Sequence, residues 1–105
     1  MTTFDKREEG FEKKFALDEE LKFKAEARRN RLLGHWVAEQ LGLSGEAAAT
    51  YAKDAIAGAF AEGGEKAVVA RAARDLSAKG IAESAIRAQM NELMLQAIAQ
   101  VKAGA

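Results

Sequence analysis

The sequence predicts an all-α fold: a small four-helix bundle over residues 19–105, preceded by a flexible, charged N-terminal segment over residues 1–18. Three observations carry this reading. Proline is absent and alanine dominates the apolar residues beside Leu, Glu, Lys and Arg, a composition that suits long helices. Apolar residues recur at spacings of three and four, the period of one helix face. Glycines fall between these stretches, where helices stop.

The longest stripe runs Phe23, Ala27, Asn30, Gly34, Val37, Leu41 and predicts a helix over about residues 21–41. Leu33 and Trp36 widen its inward face in the second half, with Trp36 as a core anchor. Asn30 on this stripe reads as a buried amide that fixes register. Gly42 stands at the C-cap position and Ser44 is a suitable N-cap for the next helix. That helix, about 45–62, places Ala48, Ala52, Ala55, Ile56, Ala59 and Phe60 on one side, small residues that let another helix approach closely, and Gly63-Gly64 ends it. A third helix, about 65–78, offers Val68, Val69, Ala72 and Leu76 before Gly80. The fourth, about 82–102, carries Ile86, Met90, Leu93, Met94, Ala97, Ile98 and Val101 inward. Short loops between them favour antiparallel neighbours.

The first residues, MTTFDKREEGFEKKFALDEE, follow a different rule. On a helix Phe4, Phe11 and Phe15 would fall within about 40° of one another, a narrow aromatic stripe with charge on every other face and Leu17 opposite. Glu9–Lys13 and Lys14–Asp18 are favourable i, i+4 pairs, but Gly10 opposes helix and an isolated helix of this length is marginal in water. Two readings stand. The phenylalanines fold back and complete the core, or they anchor a segment that becomes helical on a partner.

Several function classes are excluded by composition. Lys plus Arg equals Asp plus Glu at 16 each, so no basic excess draws the chain onto nucleic acid. There is no cysteine and one histidine, which leaves no thiolate or histidine metal cluster, and no nucleophile–base or acid–base pair suggests catalysis. No secretory leader and no bilayer-length apolar run is present, so the expected location is the cytoplasm without direct membrane insertion.

One basic stripe remains. Lys24, Arg28, Arg31 and His35 follow at spacings of 4, 3 and 4, while Lys22 and Arg29 point elsewhere. The stripe is either a solvated face balanced by neighbouring carboxylates or an anion site in which guanidinium groups and His35 meet a phosphate or a partner's carboxylates.

The run FEKKFALDEELKFKAEARRNRLLGHWVAEQLG, residues 11–42, closely resembles the signature of the zeta subunit family, the ATPase inhibitors of alphaproteobacterial F-type ATP synthases. The specific part is FKAEARRNRLLG with the following Trp36 and Leu41-Gly42, and AIRAQMNEL at residues 85–93 agrees more loosely. The resemblance implies a four-helix bundle and an inhibitory segment, about residues 2–17, that becomes helical as it inserts at a catalytic alpha/beta interface beside the rotor of the ATP synthase. Phe4, Arg7, Phe11, Lys13, Lys14, Phe15 and Leu17 are then the partner-binding residues. The family is also associated with ADP or ATP as a regulatory ligand of the bundle, which would make Lys24, Arg28, Arg31 and His35 a nucleotide site. A non-catalytic protein, peripheral to the membrane-bound ATP synthase, is implied. Two positions depart from the family pattern: His35 stands where an aliphatic residue is common, and Leu17 where histidine often is.

Overall fold

The computed structural model describes residues 19–104, and the candidate partner-binding residues Phe4, Arg7, Phe11, Lys13, Lys14, Phe15 and Leu17 lie outside them. The described residues are all-α, as the composition predicts. Helix α1 is Glu19–Gln40. The second helical run, α2, spans residues 45–76 as Gly45–Tyr51, a wider π turn Ala52–Ala57, and Gly58–Leu76, followed by a 3-10 turn Ser77–Lys79. Helix α3 is Glu83–Lys102.

Counted as continuous runs, the described residues hold three helices, the second of them kinked at Gly63-Gly64, where the sequence predicts a helix boundary. Gly58–Leu76 is kinked at the Gly63-Gly64 pair, where Gly64 leaves helical dihedrals, at φ 73° and ψ −158°. That conformation is essentially restricted to glycine. The break reverses the run: the Tyr51 hydroxyl donates to Asp75 Oδ2 at 2.5 Å across 24 residues. A straight helix would separate them by roughly 36 Å at 1.5 Å per residue.

α1 ends as its glycine predicts. Gly42 has φ +82°, the Leu43 amide donates to the Ala38 carbonyl at 2.8 Å, and the Gly42 amide donates to the Glu39 carbonyl at 3.0 Å. This pair of bonds is the Schellman closure. Ser44 does occupy the N-cap position of the next run in an extended conformation, but its side chain makes no capping hydrogen bond.

The core joins all three runs through Leu33, Val37, Ile56, Val68, Val69, Ala72, Leu76, Ile86, Met90 and Leu93. Each large aliphatic side chain fully removed from water contributes about 1.5–3 kcal/mol before entropy is counted. Trp36 is half-buried and packs on the flank of this cluster. The inward stripe of α1 differs from expectation in its first half. Phe23 is 70% exposed and Ala27 is exposed, while Ala25 and Arg29 are buried in their place. From Asn30 through Gly34 to Val37 the expected stripe holds. Gly34 marks the closest crossing: a Cβ there would lie 2.5 Å from both Cα and Cβ of Ala52. Only glycine on α1 lets the π turn come this near.

Candidate functional site

The basic stripe of α1 sits where helix geometry puts it, on the outer side. Lys24 forms a loose 3.7 Å ion pair with Glu20, both largely exposed. Arg28 is half-buried and its Nη1 donates to Gln100 Oε1 of α3 at 3.0 Å. Arg31 and His35 are exposed.

These four residues divide between two clefts among the described residues. Lys24, Arg28 and Arg31 line one open cleft of about 330 Å³, between the start of α1 and the end of α3, with Phe23 and Val101 as its apolar part. Arg31 and His35 line a second, of about 610 Å³, between α1 and α2, where Lys53 joins them over Ala27, Ala49, Ala52 and Ala57. Arg31 stands between the two. Lys53 was not part of the sequence-predicted stripe. Its signal was the pair of small residues Gly34 and Ala52: once these cross, Lys53 must lie beside the Arg31–His35 ridge.

Arg29, which the helical wheel directs away from the stripe, is the buried cation, 4% exposed. Its Nε and Nη2 donate to the Asn30 side-chain oxygen at 3.2 and 3.1 Å, and Nη1 meets Glu65 Oε1 at 3.4 Å. The guanidinium carbon also lies 6.0 Å from the centre of the Phe60 ring. Phe60 and Glu65 flank the Gly63-Gly64 break, so Arg29 holds the bend of α2 against α1. Asn30 is inward, as expected, and its oxygen serves this arginine.

A second polar cluster closes the folded-back α2. Arg71 Nε donates to Asp75 Oδ2 at 2.8 Å, Arg74 Nε lies 3.6 Å from Asp75 Oδ1, and Arg71 stands over the Tyr51 ring at 6.0 Å. Burial pushes the Tyr51 hydroxyl well above its ordinary pKa, and its hydrogen bond to the Asp75 carboxylate adds to this. Burial also pushes the Asp75 carboxyl up, but the hydrogen bonds from Tyr51 and Arg71 and the charges of Arg71 and Arg74 outweigh it and hold the group below the usual carboxylate value. The Arg71 guanidinium is in turn raised, chiefly by its bond to Asp75. This cluster is a structural clasp of α2.

Among the described residues no group of three or more His, Cys, Asp or Glu is placed to hold a metal ion, and no helix is long and apolar enough to cross a membrane. The family model for ATPase inhibitor subunit zeta matches residues 1–100 of the chain. The chain belongs to this family. No curated protein matches it. In this zeta-family chain the FKAEARRNRLLG block that carries the resemblance forms the middle of α1, where it supplies the Arg29–Asn30 pair, the Gly34 crossing and, of the cleft-lining basic residues, Lys24, Arg28 and Arg31.

Proposed function

We propose that this protein is a non-catalytic inhibitory subunit of the F-type ATP synthase, which blocks ATP hydrolysis by inserting residues 2–17, helical when bound, at a catalytic alpha/beta interface near the rotor. The observation that carries this is the family match across residues 1–100, which includes the N-terminal segment as well as the helices. The helices at residues 19–104 act as a handle. Their core is built from residues of α1, α2 and α3. Phe4, Phe11 and Phe15 are the apolar anchors and Arg7, Lys13 and Lys14 the flanking charges, the usual partition of a helix bound in a groove. Leu17 closes the segment. Activity and binding rest at the membrane-bound enzyme without insertion of this chain into lipid.

The test is ATP hydrolysis by the cognate ATP synthase with full-length protein and with a form lacking residues 1–17. The full-length chain lowers hydrolysis and the truncated form does not. Equal inhibition by the two forms refutes the assignment of the inhibitory segment, and no inhibition by the full chain refutes the function.

A second reading gives the bundle an adenine nucleotide as regulatory ligand. It is favoured by the convergence of Lys24, Arg28 and Arg31 on one cleft with the apolar Phe23 and Val101. Titration with ADP should then shift the NMR resonances of these residues and leave those of the Tyr51–Asp75 clasp unmoved.

A further inference from the structure

Phe23 begins a ridge of α1 in which Phe23, Ala27, Arg31 and His35 stand four residues apart and are all exposed. Residues at this spacing line up along the helix surface. The far half of the ridge borders the alanine-floored cleft of about 610 Å³ that Lys53 completes on α2. Two fixed cations and an imidazole thus rim an apolar floor.

These three share one cleft and lack compensation there. Arg29, Arg71, Arg74 and Arg87 each meet a carboxylate, and Arg28 bonds to Gln100. Among the described residues, Arg31, His35 and Lys53 form no ion pair. In a chain of zero net charge this leaves a local positive surface beside an exposed aromatic ring.

We propose that the Phe23–Ala27–Arg31–His35 ridge and its cleft form a docking surface for an acidic helix of the partner enzyme, with Phe23 as apolar anchor and Arg31 and Lys53 pairing with the helix's carboxylates. The inference rests on the reading of the protein as an ATP synthase inhibitor. Charge complementarity selects carboxylates, and the small side chains of Ala27, Ala49, Ala52 and Ala57 let a helix backbone come close. Position selects the same enzyme that receives residues 2–17. Residues 2–17 precede α1 directly in sequence, and Phe23 stands one helical turn, about 6 Å, after its first residue Glu19, so the ridge belongs to the helix that follows the inserted segment. A free anion would be held by Arg31 and Lys53 without using Phe23.

The experiment measures affinity of the full-length chain for the ATP synthase of the source organism by biolayer interferometry at several salt concentrations, with hydrolysis assayed in parallel. The variants are Phe23→Ala, Arg31→Glu with Lys53→Glu, and the milder Arg31→Gln with Lys53→Gln, each checked for an unchanged thermal midpoint by circular dichroism. Loss of the exposed pairs should weaken binding about tenfold and flatten its salt dependence, through slower association. Phe23→Ala should weaken it about as much while leaving the salt slope in place. Wild-type affinity and salt slope in the folded Gln variant overturn the proposal. So does a variant that loses only binding of inorganic phosphate or ADP while holding the enzyme normally, because the cleft would then be a small-anion site. Wild-type protein that binds the enzyme without inhibiting hydrolysis refutes the inhibitory reading alone, and the affinities of the variants still decide the docking surface. Wild-type protein that does not bind at all overturns both.

Discussion

At Gly34 the absence of a side chain decides how near two helices lie. Alanine is the better helix former by about 1 kcal/mol, so on propensity alone Gly34→Ala would stabilise α1. Its Cβ would sit 2.5 Å from the Ala52 Cα, and a backbone atom cannot swing aside as a side-chain tip can. The π turn and α1 must separate along their whole crossing, which costs about 1–3 kcal/mol and outweighs the propensity gain. Urea denaturation should therefore show Gly34→Ala with a lower midpoint than wild type. The Tyr51–Asp75 bond makes a prediction at both ends of the pH scale. The folded Asp75 carboxyl lies below its ordinary value, so its contribution is present above about pH 4 and is lost as pH falls through the folded pKa. The folded Tyr51 hydroxyl lies above its ordinary value, so its contribution is present below about pH 10 and is lost as pH rises beyond that. Tyr51→Phe should cost about 1 kcal/mol at pH 7. In urea titrations the gap between Tyr51→Phe and wild type should narrow above pH 10, and Asp75→Asn should show a smaller acid loss than wild type.

The bend of α2 depends on a single residue whose dihedrals an L side chain resists. Gly64 holds φ 73° and ψ −158°, and a Cβ there meets nothing within 4 Å, so Gly64→Ala tests backbone strain without a steric clash. It should lower stability by about 1–3 kcal/mol by chemical denaturation. Gly63→Ala is a different experiment: its Cβ would meet the Ala67 methyl at 2.8 Å, so its penalty comes from contact. The sequence marked this place well, since a Gly-Gly pair between two apolar stripes reads as punctuation. It predicts that a helix ends there, and Gly64, the one residue of Gly58–Leu76 outside helical dihedrals, is where the run kinks. The stripes of α2 and α3 were legible because Val, Ile, Leu and Met leave little doubt about which side is buried; Val68, Val69, Ala72, Leu76, Ile86, Met90 and Leu93 are all inside. The first half of α1 was not. Its inward positions are Ala25 and Arg29, and its exposed one is Phe23, so hydropathy pointed the wrong way. An arginine goes inside only when an acceptor and a carboxylate wait for it, and here these are Asn30 beside it and Glu65 some 36 residues on. No local pattern announces the second. Lys53 escaped for the same reason: its place beside Arg31 and His35 comes from a crossing of two helices, not from a motif.

Over the whole molecule, the sequence allowed two uses for Phe4, Phe11 and Phe15, and stability separates them from function. If the three rings completed the core, removing residues 1–17 would cost about 1.5–3 kcal/mol for each ring withdrawn from a buried site. Among the described residues the core draws on all three helical runs, while Phe23 and Leu95 stand exposed. Leu33, Val37, Ile56, Val68, Leu76 and Ile86 are fully buried, and they come from α1, α2 and α3 together. We therefore expect the truncated chain to unfold in one cooperative transition, with a free energy within about 1 kcal/mol of the full chain and an m-value that reflects the same buried surface. The same truncation should abolish inhibition of ATP hydrolysis. Phe15→Ala in the full chain completes the argument: it should weaken inhibition by ten-fold or more, as expected for an aromatic anchor in a groove, and leave the urea midpoint where it was. A drop in midpoint together with unchanged inhibition would instead place the phenylalanines in the core and move the inhibitory surface onto the helices.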